Sequence, residues 1–499
     1  MHLHRLRLPL LTLGAALALA APSPAAAPRD VLFIAVDDLN DWTGHLKGHP
    51  QARTPNIDRL VARGVTFTNA HCAAPACNPS RAALMSGLRP WQTGIYTNGD
   101  PAAPVLKDVT TINRYFLANG YNTLGGGKIY HGFPSEGRND SWTQWVGLFP
   151  TGGKNVHNLN GLDRDHFDWG PLTISSAEMG DSKLTDWAID QLHTAPADQP
   201  LFLAVGYVKP HLPWYVPQEY FDRFPLDEIQ LPKVKPDDLS DIPAAGVAMA
   251  KPEGDHAAVV AAGQWKNAVQ AYLATISFLD DQVGRLLDAV EASPRGREMI
   301  VFWWTDHGWH LGEKEHWRKF ALWEDATHTS FGITVPGVSK IGGRCEASVD
   351  YTSIYPTLCE AAGLPVPSHV TGPSLMPLLK DPDATWEHPA VCTHGRGNHA
   401  AIDGRYRYIR YSDGSEELYD HQSDPNEWTN LAGEVGVSEI KQRLSSVMPA
   451  ADTEVPSTSG EKKAKEKGSN KTPQTGSGQG KGKNKGKGQG KNAKKTQAN

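Results

Sequence analysis

The sequence predicts an α/β protein in which a mixed, mostly parallel sheet is sandwiched by helices and followed by a small antiparallel subdomain. Three observations carry this. Apolar, β-branched-rich runs alternate with amphipathic stretches through most of the chain, the pattern of parallel strands buried on both faces. Strand-like runs end in polar residues of catalytic type: Asp37-Asp38, Lys128 with His131, Lys209 with His211, and Asp306-His307. After about Gly363 the texture changes to short strands separated by Asp-Gly pairs, a hairpin signal.

In chain order, a basic stretch (Met1 to Arg7), an apolar run (Leu8 to Ala21) and a small-residue segment (Pro22 to Ala27) read as a secretory signal peptide, residues 1–27. A membrane anchor is the weaker alternative, because the run falls short of the ~20 residues a span needs. No other stretch is apolar enough to span, so a secreted or periplasmic protein is expected. Val31 to Val36 is a buried strand ending in Asp37 and Asp38. Thr54-Pro55 opens a helix that runs to Arg63 and stops at Gly64, with a good cap and proline at the first helical position. A helix over Thr111–Asn119, a strand over Tyr121–Leu124, a helix over Lys183–Leu192, a strand over Leu201–Val208, a long helix over Trp265–Glu291 and a strand over Met299–Trp304 continue the alternation. Together they assign residues 28–362 to a catalytic domain. Short strands at His399–Asp403, Arg405–Tyr411 and Glu416–Tyr419 define a C-terminal subdomain, residues 363–448.

Residues 449–499 form a tail. From Glu461 onward it carries twelve Lys against two Glu and almost no large apolar residue, a composition that cannot build a core and is expected to be disordered. Its charge of +10, set against −6 for the whole chain, leaves −16 for everything before it. Such a tail could hold a polyanion or simply be solvated; no specific nucleic-acid partner is expected.

In open α/β sheets ligands bind beyond the carboxyl ends of the strands, so the four polar strand ends point to one place. Asp37 and Asp38 would repel each other unless a divalent cation made both into hard oxygen ligands, with Asp306 as a third carboxylate. Strand-end aspartates also cap turns; the second cluster is what favours metal. Cys77 precedes Pro79 and the helix-prone Ala82–Met85, which puts it at a helix N-terminus, where an anion is favoured. An ordinary thiol there would be acidified, giving a thiolate nucleophile. The five cysteines, Cys72, Cys77, Cys345, Cys359 and Cys392, leave one unpaired in an oxidising compartment, and Cys77 is the candidate. Alternatively, all five are small buried hydrophobes.

Cys77-Asn78-Pro79-Ser80-Arg81 and its continuation through Gly87 resemble the signature of formylglycine-dependent (type I) sulfatases. The similarity extends from about Pro28 to Ala432, and Asp306-His307-Gly308-Trp309 with Leu311-Gly312-Glu313 is most similar to the iduronate-2-sulfatase-like branch. The resemblance implies an alkaline-phosphatase-like fold and a Cys77 oxidised to formylglycine by a maturation enzyme. It also implies one calcium ion, in preference to magnesium, on Asp37, Asp38, Asp306, His307 and the modified Cys77. His307 stands where many members have Asn. Arg81 and Lys128 would hold the aldehyde hydrate and offset sulfate charge, and Lys319 would grip the sulfate near the leaving oxygen. His211 would protonate the departing alkoxide, and His131 would deprotonate the hydrate so that sulfate is expelled.

The implied substrate is a sulfated carbohydrate, of glycosaminoglycan or algal type. His394, Arg396, Asn398 and His399 are candidate substrate contacts. Trp42, Trp91, Trp214, Trp309 and Trp317 could stack on sugar rings, with core packing the better account of any one of them. Two alternatives stay open: a phosphonate monoester or phosphodiester hydrolase of the same superfamily, and a glycan-binding relative without catalysis.

Overall fold

β1 (Val31–Asp37) alternates its side chains between two apolar cores, and this alternation organises the fold. Leu32, Ile34 and Val36 face one core, while Val31, Phe33 and Ala35 face the other, as a strand covered on both sides requires. The computed structural model describes residues 29–132, 141–153, 156–164 and 166–456. The expected signal peptide and the lysine-rich residues from 457 onward lie outside the described residues.

On the first face lie α1 (Pro55–Val61), α4 (Gly180–Thr194) and α5 (Trp265–Ala292), contributing Ile57, Leu60, Leu184, Leu192, Phe278 and Leu286 to that core. On the second lie α2 (Cys77–Ser86), α3 (Ile112–Ala118) and α6 (Ile354–Ala361), contributing Leu84, Met85, Phe116, Ile354 and Leu358. Five of these helices match the sequence reading in place and type, with ends differing by a few residues.

The nine-stranded sheet runs β8 (Gly343–Cys345), β2 (Val65–His71), β7 (His328–Thr334), β6 (Ile300–Thr305), β1, β5 (Leu201–Pro210), β3 (Asn122–Gly127) and β4 (Gln144–Val146). The remaining short strand, Val349–Asp350, pairs with β2. β1 lies parallel between β5 and β6, with Val31 opposite Phe202 and Ile300, and β3 lies parallel on the far side of β5. These strands therefore end together at Asp37, Lys128, Pro210 and Asp306. β7 is antiparallel to both β2 and β6, which makes the sheet mixed. Glycine is required where β3 ends: at Gly127, with φ +74°, a Cβ would lie 2.0 Å from the Gly206 carbonyl oxygen.

The small sheet runs β9 (Ala390–Thr393), β10 (His399–Ile402), β11 (Tyr406–Arg410) and β12 (Glu416–Asp420), all antiparallel, and is followed by α7 (Ser438–Ser445). β9 is a strand the sequence reading missed. Cys392, Ala400, Ile402, Ile409 and Tyr419 enter the same apolar cluster as α2 and α6. Among the described residues no helix is long and apolar enough to cross a membrane.

Candidate active site

Asp38 follows β1 with φ +63°, a left-handed conformation that few non-glycine residues adopt. It is held there by two contacts: its N–H donates to Asp306 Oδ1 at 3.1 Å, and the Tyr272 hydroxyl donates to its carbonyl at 2.7 Å. Asp37, Asp38 and Asp306 are all completely buried. Such a set needs cations close by.

Arg81, itself without exposure, supplies one from α2. Its Nε donates to Asp306 Oδ2 at 2.9 Å and its Nη2 to Asp37 Oδ1 at 3.2 Å. Its other donors go to the carbonyls of Val36, Lys128 and Ile129. Arg81 thus braces the carboxylates from behind. The cations on Cys77 are the lysines: Lys319 Nζ lies 3.2 Å from Cys77 Sγ and 2.6 Å from Asp38 Oδ1, and Lys128 Nζ lies 3.8 Å from Sγ while pairing with Asp37 Oδ2.

Cys77 is the first residue of α2 and fully buried. His307 Nε2 sits 3.4 Å from its sulfur and 3.4 Å from both Asp38 Oδ1 and Asp306 Oδ2. The Gly308 carbonyl is 3.0 Å from His307 Nδ1, an arrangement that makes Nδ1 the donor and leaves Nε2 as a lone pair for a ligand. His211 is partly exposed, with Nε2 3.8 Å from Asp38 Oδ2 and 4.0 Å from Asp37 Oδ2. It rides on a loop fixed by Lys209, whose Nζ donates to the carbonyls of Pro213 at 2.5 Å and His211 at 3.2 Å. Lys209 therefore holds the loop and contributes no charge to the cluster.

The electrostatics follow from burial and these cations. Burial alone would raise Asp37, but Lys128, His211 and Arg81 hold it well below the ordinary carboxylate range. Burial lifts Asp306 to about 8 despite Arg81. Burial and Asp37 would raise the Cys77 thiol, yet Lys128 and Lys319 leave it below its usual value. His131, beyond Lys128, is pushed to about 4 by burial and then by the Lys128 charge, so at neutral pH it is an uncharged proton acceptor.

The donor set fits a hard divalent cation. Asp37, Cys77, Asp306 and His307 offer ligand atoms within 4.8 Å of one another, as do Asp37, Asp38, Cys77 and His211. Asp38 Oδ2 is buried with no hydrogen-bond partner, and a metal would satisfy it. A third group of that kind, Glu324, His421 and Glu427, already has its cation: Arg407 pairs with Glu324 and, at 2.6 Å, with Glu427.

The remaining sequence candidates divide. Arg396 is half-exposed and faces Glu454 at 3.8 Å. Asn398 ties its own loop, donating to the His394 carbonyl and accepting from the Ser412 N–H. His399 is buried between Thr393 and Asp452. His394 reaches nearest the cluster, its ring 6.0 Å from that of Phe320, the neighbour of Lys319. Trp42, Trp214, Trp309 and Trp317 are core residues, and Trp91 lies under the Arg89 guanidinium. All five cysteines are free and buried. Two supporting residues escaped the sequence reading. Ser80 Oγ donates to the Asp306 carbonyl at 2.5 Å, and Asn78 Nδ2 donates to the carbonyls of Thr97 and Asp100. Both lie inside the signature, which was the available signal.

The profile of the sulfatase family matches residues 29–364, and that of the N-sulphoglucosamine sulphohydrolase C-terminal region matches residues 312–454. A sulfatase of Formosa agariphila is 40% identical over 443 residues, 84% of this chain and 86% of that protein. Human iduronate 2-sulfatase is 29% identical over 442 residues, 78% of this chain and 76% of its own. Among solved structures, BT4656 in complex with its substrate D-glucosamine-2-N,6-O-disulfate superposes with a TM-score of 0.69 at 19% identity, covering 84% of this chain and 96% of its own. At that identity the likeness speaks to the fold alone, which is the alkaline-phosphatase-like fold of sulfatases. On the extent of the profile match and the 40% relative, the chain belongs to the sulfatase family, hydrolases of sulfate esters.

Proposed function

We propose that this sulfatase is exported and removes sulfate from a sulfated carbohydrate, with a formylglycine made from Cys77 by a maturation enzyme. The observation that carries the reading is the position of Cys77. It sits at a helix N-terminus, with the ammonium groups of Lys319 and Lys128 at 3.2 and 3.8 Å and three buried aspartates close by. The aldehyde hydrate supplies a nucleophilic oxygen and a second hydroxyl whose deprotonation releases sulfate. Asp37, Asp38, Asp306 and His307 would hold a calcium ion, which supplies positive charge to sulfonyl oxygens. Lys128 and Lys319 add to that charge. Arg81 keeps Asp37 and Asp306 ionised and oriented. His211, the partly exposed imidazole, faces the side from which a sugar enters and protonates the leaving alkoxide. His131, uncharged at neutral pH, takes the proton of the second hydroxyl.

Mass spectrometry of the tryptic peptide containing residue 77, metal analysis of the purified protein, and a sulfate-release screen over defined glycosaminoglycan and algal oligosaccharides test these points. An intact thiol at residue 77 in active enzyme sinks the formylglycine step. Faster turnover of an aryl phosphodiester than of an aryl sulfate would favour the phosphonate or phosphodiester reading.

A further inference from the structure

The last described residues form a strap across the side of the molecule that carries Cys77. From the small sheet, Arg410 donates to the Pro449 carbonyl at 3.3 Å, His399 Nε2 meets Asp452 Oδ2 at 3.3 Å, and Arg396 Nη2 donates to the Asp452 carbonyl at 3.4 Å. From the large sheet's side, the Thr453 N–H donates to the Trp91 carbonyl at 3.0 Å, and the Tyr96 hydroxyl donates to the Thr453 carbonyl at 2.7 Å. The strap lies so close to Gly94 that a Cβ there would sit 2.5 Å from the Glu454 carbonyl oxygen and 3.0 Å from Pro456. The chain is therefore pinned from both sides up to Pro456. The loop it is pinned to, Tyr96 to Asp100, is the one that holds Asn78: Asn98 Oδ1 accepts from the Asn78 N–H at 2.9 Å, and Thr97 and Asp100 accept from its side chain. Pro456 thus leaves the body on the flank of the nucleophile.

Beyond Pro456 the sequence carries twelve Lys against two Glu, attached to a body of formal charge −16. A polyanionic chain is repelled by that body; at this flank it meets the opposite sign. We propose that Ser457–Asn499 is a polyanion-binding arm rooted beside the active site, which raises the local concentration of polysulfated glycan chains there. This deepens the sulfated-carbohydrate reading and rests on it. The anionic alternative, a membrane surface, gives no reason for the strap to fix the arm's root at the nucleophile's flank.

The experiment compares the full chain, a chain ending at Pro456, a chain with the tail lysines changed to glutamine, and a chain carrying Ser457–Asn499 ahead of Arg29 instead. The last relocates the arm to the opposite end of β1, roughly 20 Å from Asp37. Heparin is the binding probe, 4-nitrocatechol sulfate the small substrate, and the sulfated polysaccharide found in the screen the polymeric one. The full chain should bind heparin with affinity that falls steeply with salt, and truncation or lysine replacement should weaken it at least about tenfold. Turnover of the small sulfate should change by less than about twofold while KM for the polymer rises roughly fivefold or more. The relocated arm should restore heparin binding and leave that KM raised. Unchanged heparin binding on truncation, full recovery of KM by the relocated arm, or tighter binding to phosphatidylglycerol vesicles than to heparin would each overturn the proposal. Failure of the sulfatase reading would show separately, as no sulfate release from any ester by any of the chains, with heparin binding still deciding the arm.

Discussion

Two clusters of charge are buried in this protein, and they are built to opposite plans. In the one around Arg407, cation and anion meet within the protein: Arg407 pairs with Glu324 and Glu427, His421 Nε2 lies 2.8 Å from Glu427, and the Glu324 N–H donates to Glu427 Oε2 at 2.9 Å. In the one around Cys77, three aspartates share Arg81, Lys128 and Lys319, yet Asp38 Oδ2 stays unpartnered and Asp306 is lifted to about 8. The first cluster is complete and joins the small sheet to the large one. The second is complete only with a cation and an anionic substrate, which is what distinguishes a site from a brace.

Four substitutions test that distinction. Cys77→Ala should lower sulfate release by roughly 10,000-fold or more with an unchanged near-ultraviolet circular dichroism spectrum; retained turnover would place the nucleophile elsewhere. Arg407→Met strands Glu324 and Glu427 in the interior and should cost about 3–5 kcal/mol of stability in urea denaturation. Its kcat per folded molecule should stay within about twofold. A large loss of kcat in fully folded protein would erase the contrast between the clusters. Lys319→Met should lower kcat by roughly 100-fold to 1,000-fold, with aryl sulfate hydrolysis as the measure, and stability should fall little because one unmatched carboxylate charge is traded for another at a metal site.

The smallest effect is on pH dependence. Burial opposes His421, but Glu427 and Glu324 raise it above the ordinary imidazole value. A raised folded pKa contributes stability fully below the unfolded value of about 6.5, and that contribution is lost as pH rises through the folded value. Unfolding free energy should therefore decline above roughly pH 6.5, and His421→Ala should flatten the decline. An identical slope in the variant would remove His421 from the account.

Much of this is legible in the sequence. The strands that carry the site are continuous apolar runs, VLFIAV and LFLAVGYV, and each stops abruptly in charged or polar residues. Four such strand ends point at one place on residue pattern alone. The strands that read least well are β2 and β7, VTFTNAH and HTSFGIT, whose interspersed Thr, Ser and His break the apolar pattern although nearly all of their residues are buried. Pairing satisfies those polar groups: Thr329 Oγ1 donates to the Ala70 carbonyl and Ser330 Oγ meets His45. β9 escapes for a different reason, being only AVCT between a proline and a glycine-rich turn. Within the site, residue types and spacing name Arg81 and Lys319 but not their division of labour, since which cation faces the carboxylates and which faces the sulfur is decided by three-dimensional packing. The glycine pair that flanks Arg396 similarly gives no sign that Asn398 is absorbed in tying its own loop.

The small sheet is also stitched to the strand that precedes the nucleophile. Thr393 N–H donates to the Ala73 carbonyl at 2.9 Å, and the Cys72 and Cys392 sulfurs touch at 3.8 Å. For anyone recombining this protein with a relative, that seam makes a crossover near Gly363 hazardous. A chimera must inherit Cys72–Cys77 and Ala390–Thr393 from the same parent, or a foreign small sheet will carry its altered loop straight into the placement of residue 77.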